Sequence, residues 1–293
     1  MFITCKVARW TSIWLLSFTA LLLGACGQNP PPANAQYLYI AHTRLPHFMS
    51  NRVIPEVEQI AFDAYDLLLL GGDLTFQSSI DQMQVDYLDA VFSLSSPKTL
   101  LSFGNHEYDM EPQLLLQKTG RSSYFRHQQN GITWLVFDTQ LDSCRVRGEQ
   151  WALFERSLEQ MGESRHLVLL FHHLVWLVDG GDLEAKHRGI SNAPLGSCSF
   201  CLKSNNFYDD LYPRLVELQK KGIQVICVSG DMGNYRSSYE HQTKEGIVFL
   251  GEGLKYEAKG NKALVFHHQI DSQQLSWTFV PLDQLPKVPT SED

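Results

Sequence analysis

The run LLLLGGDLT, residues 67–75, and the later run LLSFGNHEYD, residues 100–109, decide how this chain folds. Each begins with a short apolar stretch, too brief for a helix and closed by glycine, which is the pattern of a strand buried on both faces. Each then passes through glycine to polar side chains: Asp73 in the first, Asn105, His106 and Glu107 in the second. Glycine lets a backbone turn sharply and approach a neighbour closely. A carboxylate ending a buried strand needs hydrogen bonds, a counter-charge or a metal. One Gly-Asp is an ordinary turn, so the other strand ends decide the matter.

YLYIA, ITWLVFD, HLVLLFH and IQVICVSG read as further buried strands, and they end in AHTR (41–44), FDT (137–139), FHH (171–173) and SGDMG (229–233). Aspartate, asparagine and histidine recur where the apolar runs stop, and these are oxygen and nitrogen metal ligands. Between the strands, Val53, Val57, Ile60 and Ala61 within 49–62, and Tyr87, Leu88, Val91 and Phe92 within 80–95, repeat at helical spacing. Further amphipathic runs fall at 148–161 and 206–221. The alternation predicts an α/β protein with a mixed sheet or two packed sheets, whose ligands bind at strand ends. GIVFLG, ALVFHH and LSWTFV follow one another without helices, which predicts an antiparallel finish.

The chain is long enough for a large core, and its net charge of -8 without a lysine and arginine cluster argues against a nucleic-acid surface. Lys6 and Arg9 precede an apolar run from Ile13 to Leu23, short for a membrane span and suited to a secretory leader. The run closes on LGAC. This resembles a bacterial lipobox, so residues 1–25 are expected to be a signal peptide, Cys26 the lipidated residue, 26–36 a flexible tether, 37–285 the folded domain and 286–293 a tail. Gly27 after the cysteine resembles lipoproteins sorted to the outer membrane, facing the periplasm; a plain signal peptide with a chance cysteine is the alternative. In an exported chain Cys198 and Cys201 can pair with each other or with Cys144. Cys227 reads as a small buried hydrophobe. A zinc knuckle from CSFC lacks a second ligand pair at finger spacing.

The order GD, GNHE, a strand-final histidine and a late SG-x-x-G resembles the calcineurin-like metallophosphoesterase family, whose pattern is D-x-H, G-D, G-N-H-D/E, H and G-H-x-H. The resemblance covers about residues 37 to 282. It implies a four-layer αββα sandwich with two mixed sheets, two metals bridged by the G-D aspartate, and hydrolysis of phosphate mono- or diesters. Two motifs depart from the pattern: His42 and Arg44 stand for D-x-H, and Asp231 and Gly233 for G-H-x-H. Both departures fall on one metal, which would keep only Asp73 and His42 beside a permanent guanidinium charge. The other keeps Asp73, Asn105, His172 and Asp231, a set suited to manganese, iron or zinc.

One divalent ion is therefore expected, with Arg44 offering phosphate oxygens a charged fork in place of the second. Two carboxylates, that ion and Arg44 sum to about +1. His106 matches the family histidine that protonates the leaving oxygen, and His42 and Arg44 complete the expected catalytic set. Glu107 either orients His106 or starts a surface helix. His172 is preferred to His173 because alternation along a continuing strand turns His173 to the other face.

The stretch from His173 to Asn206, with Trp176, Asp179, Asp182 and His187, is expected either beside the site, shaping substrate choice, or as a surface insertion. His267 and His268 read as satisfied strand histidines. The function that follows is a metal-dependent phosphoesterase acting on a phosphorylated small molecule or envelope polymer. The rival is an inactive lipoprotein of the same fold serving as a binding module, since the departures are also what lost activity leaves. One complete ligand set beside one incomplete set favours the enzyme.

Overall fold

The computed structural model describes residues 34–194 and 205–289. In the first sheet β1 (Asn34–Ile40), β2 (Leu67–Leu70) and β3 (Thr99–Leu101) run parallel, and the antiparallel pair β10 (Lys262–Gln269) and β11 (Gln274–Pro281) adds to β1, giving the order β11-β10-β1-β2-β3. In the second, β5 (Ile132–Val136), β6 (His166–Phe171), β7 (Gln224–Ser229) and β9 (Val248–Glu252) run parallel between antiparallel edges β4 (Phe125–Gln129) and β8 (Ser238–Gln242).

Strand alternation builds the layers. Tyr37, Tyr39, Leu67 and Leu69 pack between the sheets against Trp134, Val136, Val168, Leu170, Ile226 and Val228. Leu38, Ile40, Leu68 and Leu70 point the other way, beneath α2 (Gln82–Phe92) and α4 (Pro112–Thr119). On the far side Leu135, Phe137, Leu169 and Phe171 meet α5 (Gly148–Glu159) and α6 (Tyr212–Lys220). Three apolar interfaces separate four layers, the αββα sandwich with two mixed sheets. Helix starts follow local chemistry: the Asp81 carboxylate accepts the Gln84 N–H at 2.8 Å, and α4 and α6 carry proline in their first turn.

Several expectations change. Residues 49–62 form only α1 (Pro55–Glu58) and a 3-10 turn at Phe62–Ala64. The reason is tertiary: Ala61 N–H donates to Pro286 O at 2.9 Å, Val288 N–H to Gln59 O at 2.9 Å, and Ile60 bridges Lys287. Residues 286–288 therefore belong to the fold rather than to a tail. At the other end β1 starts at Asn34, paired with Gln269, inside the stretch expected as tether. The antiparallel finish holds for β10 and β11 alone, because GIVFLG forms β9 and runs parallel to β7. Two edge strands, FRHQQ and SYEHQ, carry too little apolar alternation to stand out. Cys144 is disulfide-bonded and Cys227 is free and buried; Cys198 and Cys201, the leader and Cys26 lie outside the described residues.

At the end of the sandwich away from the glycine turns, His268 is buried with Nδ1 3.3 Å from the Tyr37 hydroxyl and its ring 5.6 Å from that of His166. Burial, then the neighbouring His166, pushes its pKa down to about 4. An unfolded histidine titrates near ~6.5. As pH falls from that value toward 4 the unfolded chain takes up a proton the folded chain resists, so stability is kept above the window and lost within it. His268→Gln is expected to flatten this loss, read as urea midpoints at pH 7 and pH 5; an unchanged pH difference would count against it.

Candidate metal centre

The turns leaving β1, β2, β3, β6 and β7 are stitched to one another. His42 N–H donates to Gly72 O at 2.9 Å, and the N–H groups of Gly230 and Asp231 both donate to His172 O at 2.9 Å. Gly72 (φ +85) and Gly104 permit this closeness: a Cβ on the first would sit 2.6 Å from Gly104 N, and one on the second 2.3 Å from Asp73 Oδ1 and 2.7 Å from the His172 ring. No side chain fits there. His42 and Asp73 are themselves left-handed, with φ of 51° and 56°, a conformation that concentrates at functional sites.

Asp73 is the hub. Its Oδ1 accepts His106 N–H at 3.2 Å and lies 3.5 Å from His172 Nε2. Its Oδ2 lies 3.8 Å from His42 Nε2, 3.8 Å from His106 Nε2 and 3.9 Å from Arg44 Nε. Burial alone would raise its pKa; His172, His106, His42 and Arg44 outweigh that and hold it well below the usual carboxylate range.

His172 Nδ1 donates to Gly71 O at 2.7 Å, which fixes the tautomer and leaves Nε2 with a lone pair. That Nε2, the Asn105 Oδ1 and the Asp231 Oδ2 are all buried without a hydrogen-bond partner. Burial raises the Asp231 pKa to about 6 against the pull of His172. Three orphaned buried acceptors, one of them 3.5 Å from Asp73 Oδ1, are costly, and a divalent cation would satisfy them. The donor set fits such an ion.

The other metal position is built differently. His42 Nδ1 donates to Leu254 O at 2.9 Å and its Nε2 accepts from Arg44 Nε at 3.3 Å, so neither ring nitrogen is left to ligate. Burial, then Arg44, lowers the His42 pKa to about 4, keeping the ring neutral as an acceptor. The two departures from the family pattern are coupled: a Cβ on Gly233 (φ +122) would come 2.3 Å from Leu254 O, the carbonyl that holds His42.

Two residues depart from expectation, and a third, Asp109, carried none. His173 does not turn away, because β6 stops at Phe171; its ring meets that of His172 at 4.7 Å, and ligand atoms of His172, His173 and Asp231 lie within 4.8 Å of one another. His173 Nδ1 is also 2.7 Å from Thr139 Oγ1. Glu107 does not orient His106. It is fully buried, its Oε2 accepting Asp73 N–H at 2.8 Å and Gly104 N–H at 2.7 Å, its Oε1 accepting Leu74 N–H at 2.9 Å and the Ser78 hydroxyl at 2.6 Å. Asp109 orients His106 instead, accepting its Nδ1–H at 2.7 Å; the His-x-x-Asp spacing across α3 (Asn105–Tyr108) and its C-cap was the available signal.

Asp138, from the FDT strand end, accepts the Tyr108 hydroxyl. The stretch after His173 reaches the site at Asn192, whose N–H donates to Asp231 O at 3.1 Å, while Trp176 is buried in the outer core and His187 bonds Glu184 O.

The architecture is the calcineurin-like metallophosphoesterase fold. A dimetal phosphatase from Danio rerio superposes with TM-score 0.52 and 10% identity, over 87% of this chain and 98% of that one. An NAD nucleotidase from Haemophilus influenzae gives TM-score 0.44 and 14% identity over 88% of this chain, which spans 52% of that protein. Vacuolar Protein Sorting 29 from Cryptosporidium parvum gives 0.35 and 11%, over 84% and 96%. No protein-family model and no curated protein sequence matches the chain.

Proposed function

We propose that this chain is a metal-dependent phosphoesterase working with one divalent ion, held by Asp73, Asn105, His172 and Asp231, and with Arg44 in place of a second. The observation that carries the reading is the set of unpartnered buried acceptors on Asn105, His172 and Asp231, with His172 Nε2 3.5 Å from Asp73 Oδ1. The ion would supply Lewis acidity, making water nucleophilic near neutral pH and polarising the phosphoryl group.

The protein's own groups do the rest. Arg44 spends its Nε–H on His42, which leaves the terminal nitrogens of the fork for phosphoryl oxygens. His106, its Nδ1–H anchored by Asp109, presents Nε2 on the Asp73 side, where a protonated ring can hand its proton to the leaving oxygen. The location at a bacterial cell envelope, with Cys26 as lipid anchor, belongs to the same proposal and is supported by the residues from Lys6 to Cys26.

Metal analysis of the purified chain should return about one ion, and a generic phosphodiester with manganese should be turned over. Arg44→Ala is expected to lower that turnover about a hundredfold with metal content unchanged, and Arg44→Lys should not restore it, since a point charge cannot hold His42 and phosphate together. Two tightly held ions, or turnover indifferent to Arg44, would refute the single-ion design. Absence of turnover with manganese, iron and zinc alike would leave the binding-module reading.

A further inference from the structure

Among the described residues, the exposed large apolar side chains are Phe48, Met49, Ile80, Met83, Met110, Tyr235 and Val288. Scattered exposure of this kind is normal, but here all except Val288 sit on segments bordering the candidate centre. Those segments are joined. Asn51 and Gln77 exchange two hydrogen bonds of 2.8 Å, Ser78 N–H donates to His106 O at 3.1 Å, and Glu111 N–H to Ser79 O at 3.2 Å. A ladder of rings runs outward from the proton donor: His106 to Phe76 at 4.9 Å, Phe76 to His47 at 5.2 Å, His47 to Phe48 at 5.7 Å. Phe48 is 77% exposed and Met83 76%.

Beside this rim lies a cavity of about 230 Å³, lined by Arg44, Pro46, His47, Asn234, Lys255 and Tyr256. Lys255 also borders a neighbouring cavity of about 670 Å³ that adds Arg236 and Lys262. On a chain of net charge -8, four cations, Arg44, Lys255, Arg236 and Lys262, line these two cavities with a single carboxylate, Glu257.

We infer that the phosphate ester taken by the site is carried by a lipid and is met at a bilayer surface. Arg44 and Lys255 receive the anionic headgroup, while Phe48, Met49, Ile80, Met83 and Met110 enter the acyl boundary. This rests on the phosphoesterase reading above. Cations and aromatic or long flexible apolar chains on one face are the composition of an interfacial anchor. The apolar groups stand on two turns, at 48–49 and at 110, and around the start of α2, at Ile80 and Met83, rather than forming the flat, fixed patch a folded protein partner needs. The bond broken is a phosphorus–oxygen ester bond, with water supplying the entering oxygen and His106 the proton of the leaving alcohol.

The test uses the full chain and vesicles of phosphatidylcholine with phosphatidylglycerol. In Phe48→Trp, the added emission, taken as the difference from wild type, should shift to the blue and be quenched about twofold or more by brominated acyl chains. In Phe48→Ser/Met83→Ser, kcat/KM on phosphatidic acid in mixed micelles should fall about tenfold or more, with bis-p-nitrophenyl phosphate turnover unchanged.

An added tryptophan as open to acrylamide with vesicles as without overturns the proposal, and so does a parallel loss on both substrates. Shielding from acrylamide without bromine quenching places the ring outside the acyl boundary, against headgroups or a second copy of the chain, and also overturns it. If wild type hydrolyses neither substrate while the bromine quenching appears, the phosphoesterase reading fails and lipid docking stands.

Discussion

Asp73→Asn is expected to lower phosphoesterase turnover about a thousandfold and to empty the metal position, while the fold survives. Asparagine is the right probe because Asp73 holds a left-handed φ of 56°, which asparagine tolerates and alanine pays for with about 1 kcal/mol. Its carbonyl oxygen can still accept the His106 N–H. What disappears is the charge that His42, Arg44, His106 and His172 all face within 4 Å. Without it the remaining ligands offer a single carboxylate, Asp231, and the Arg44 guanidinium repels an incoming ion. Removing one electrostatic anchor from a water-poor site costs on the order of 10²–10³ in rate, and loss of the ion adds to this. Asp73→Ala should lose as much activity and some stability besides. Metal content by elemental analysis, turnover with manganese and thermal unfolding separate these effects. A variant that keeps its ion and stays within tenfold of wild-type turnover would show that the centre is not organised by this carboxylate.

The parts of the site legible in the sequence are those where chemistry is tied to a strand end: Asp73, Asn105, His172 and Asp231 each follow a buried run, and the structure sets His172 beside both Asp73 and Asp231. Arg44 and His42 were legible as an anomaly, standing where the family pattern has D-x-H. How the anomaly is resolved was not, because Leu254 O and Gly233 lie more than 180 residues away in the chain and meet His42 only through packing between the sheets. His173 was lost to an assumption of strand continuation, when one residue of strand length decides which face a side chain takes. The pairing of residues 59–61 with 286–288 likewise overrode a clear helical spacing, since tertiary partners satisfied backbone groups that a helix would have used.

Glu107 carries the largest expected stability effect. Its carboxylate is fully buried and accepts from three backbone N–H groups, of Asp73, Leu74 and Gly104, and from the Ser78 hydroxyl. It thereby fastens the turn after β2 to the turn after β3, the two turns that supply Asp73 and Asn105. In Glu107→Ala those donors lose their acceptor in a place without room for easy hydration, at about 1–3 kcal/mol for each group left unsatisfied. Relaxation and entering water recover part, so a net loss of about 4 kcal/mol is expected, a fall of about 8–16 °C in Tm for a domain of this size. Glu107→Gln should be milder, because its amide oxygen can keep the Asp73 and Gly104 donors while its NH2 meets the Leu74 N–H unfavourably. Activity should fall with the alanine variant even below its Tm, since a shift of the Asp73 turn by ~1 Å is enough to cost about a hundredfold. A Tm within 2 °C of wild type would mean that the two turns hold their positions without this strap, and that the backbone bonds of His42 to Gly72 and of Gly71 to Ile40 suffice to place the hub.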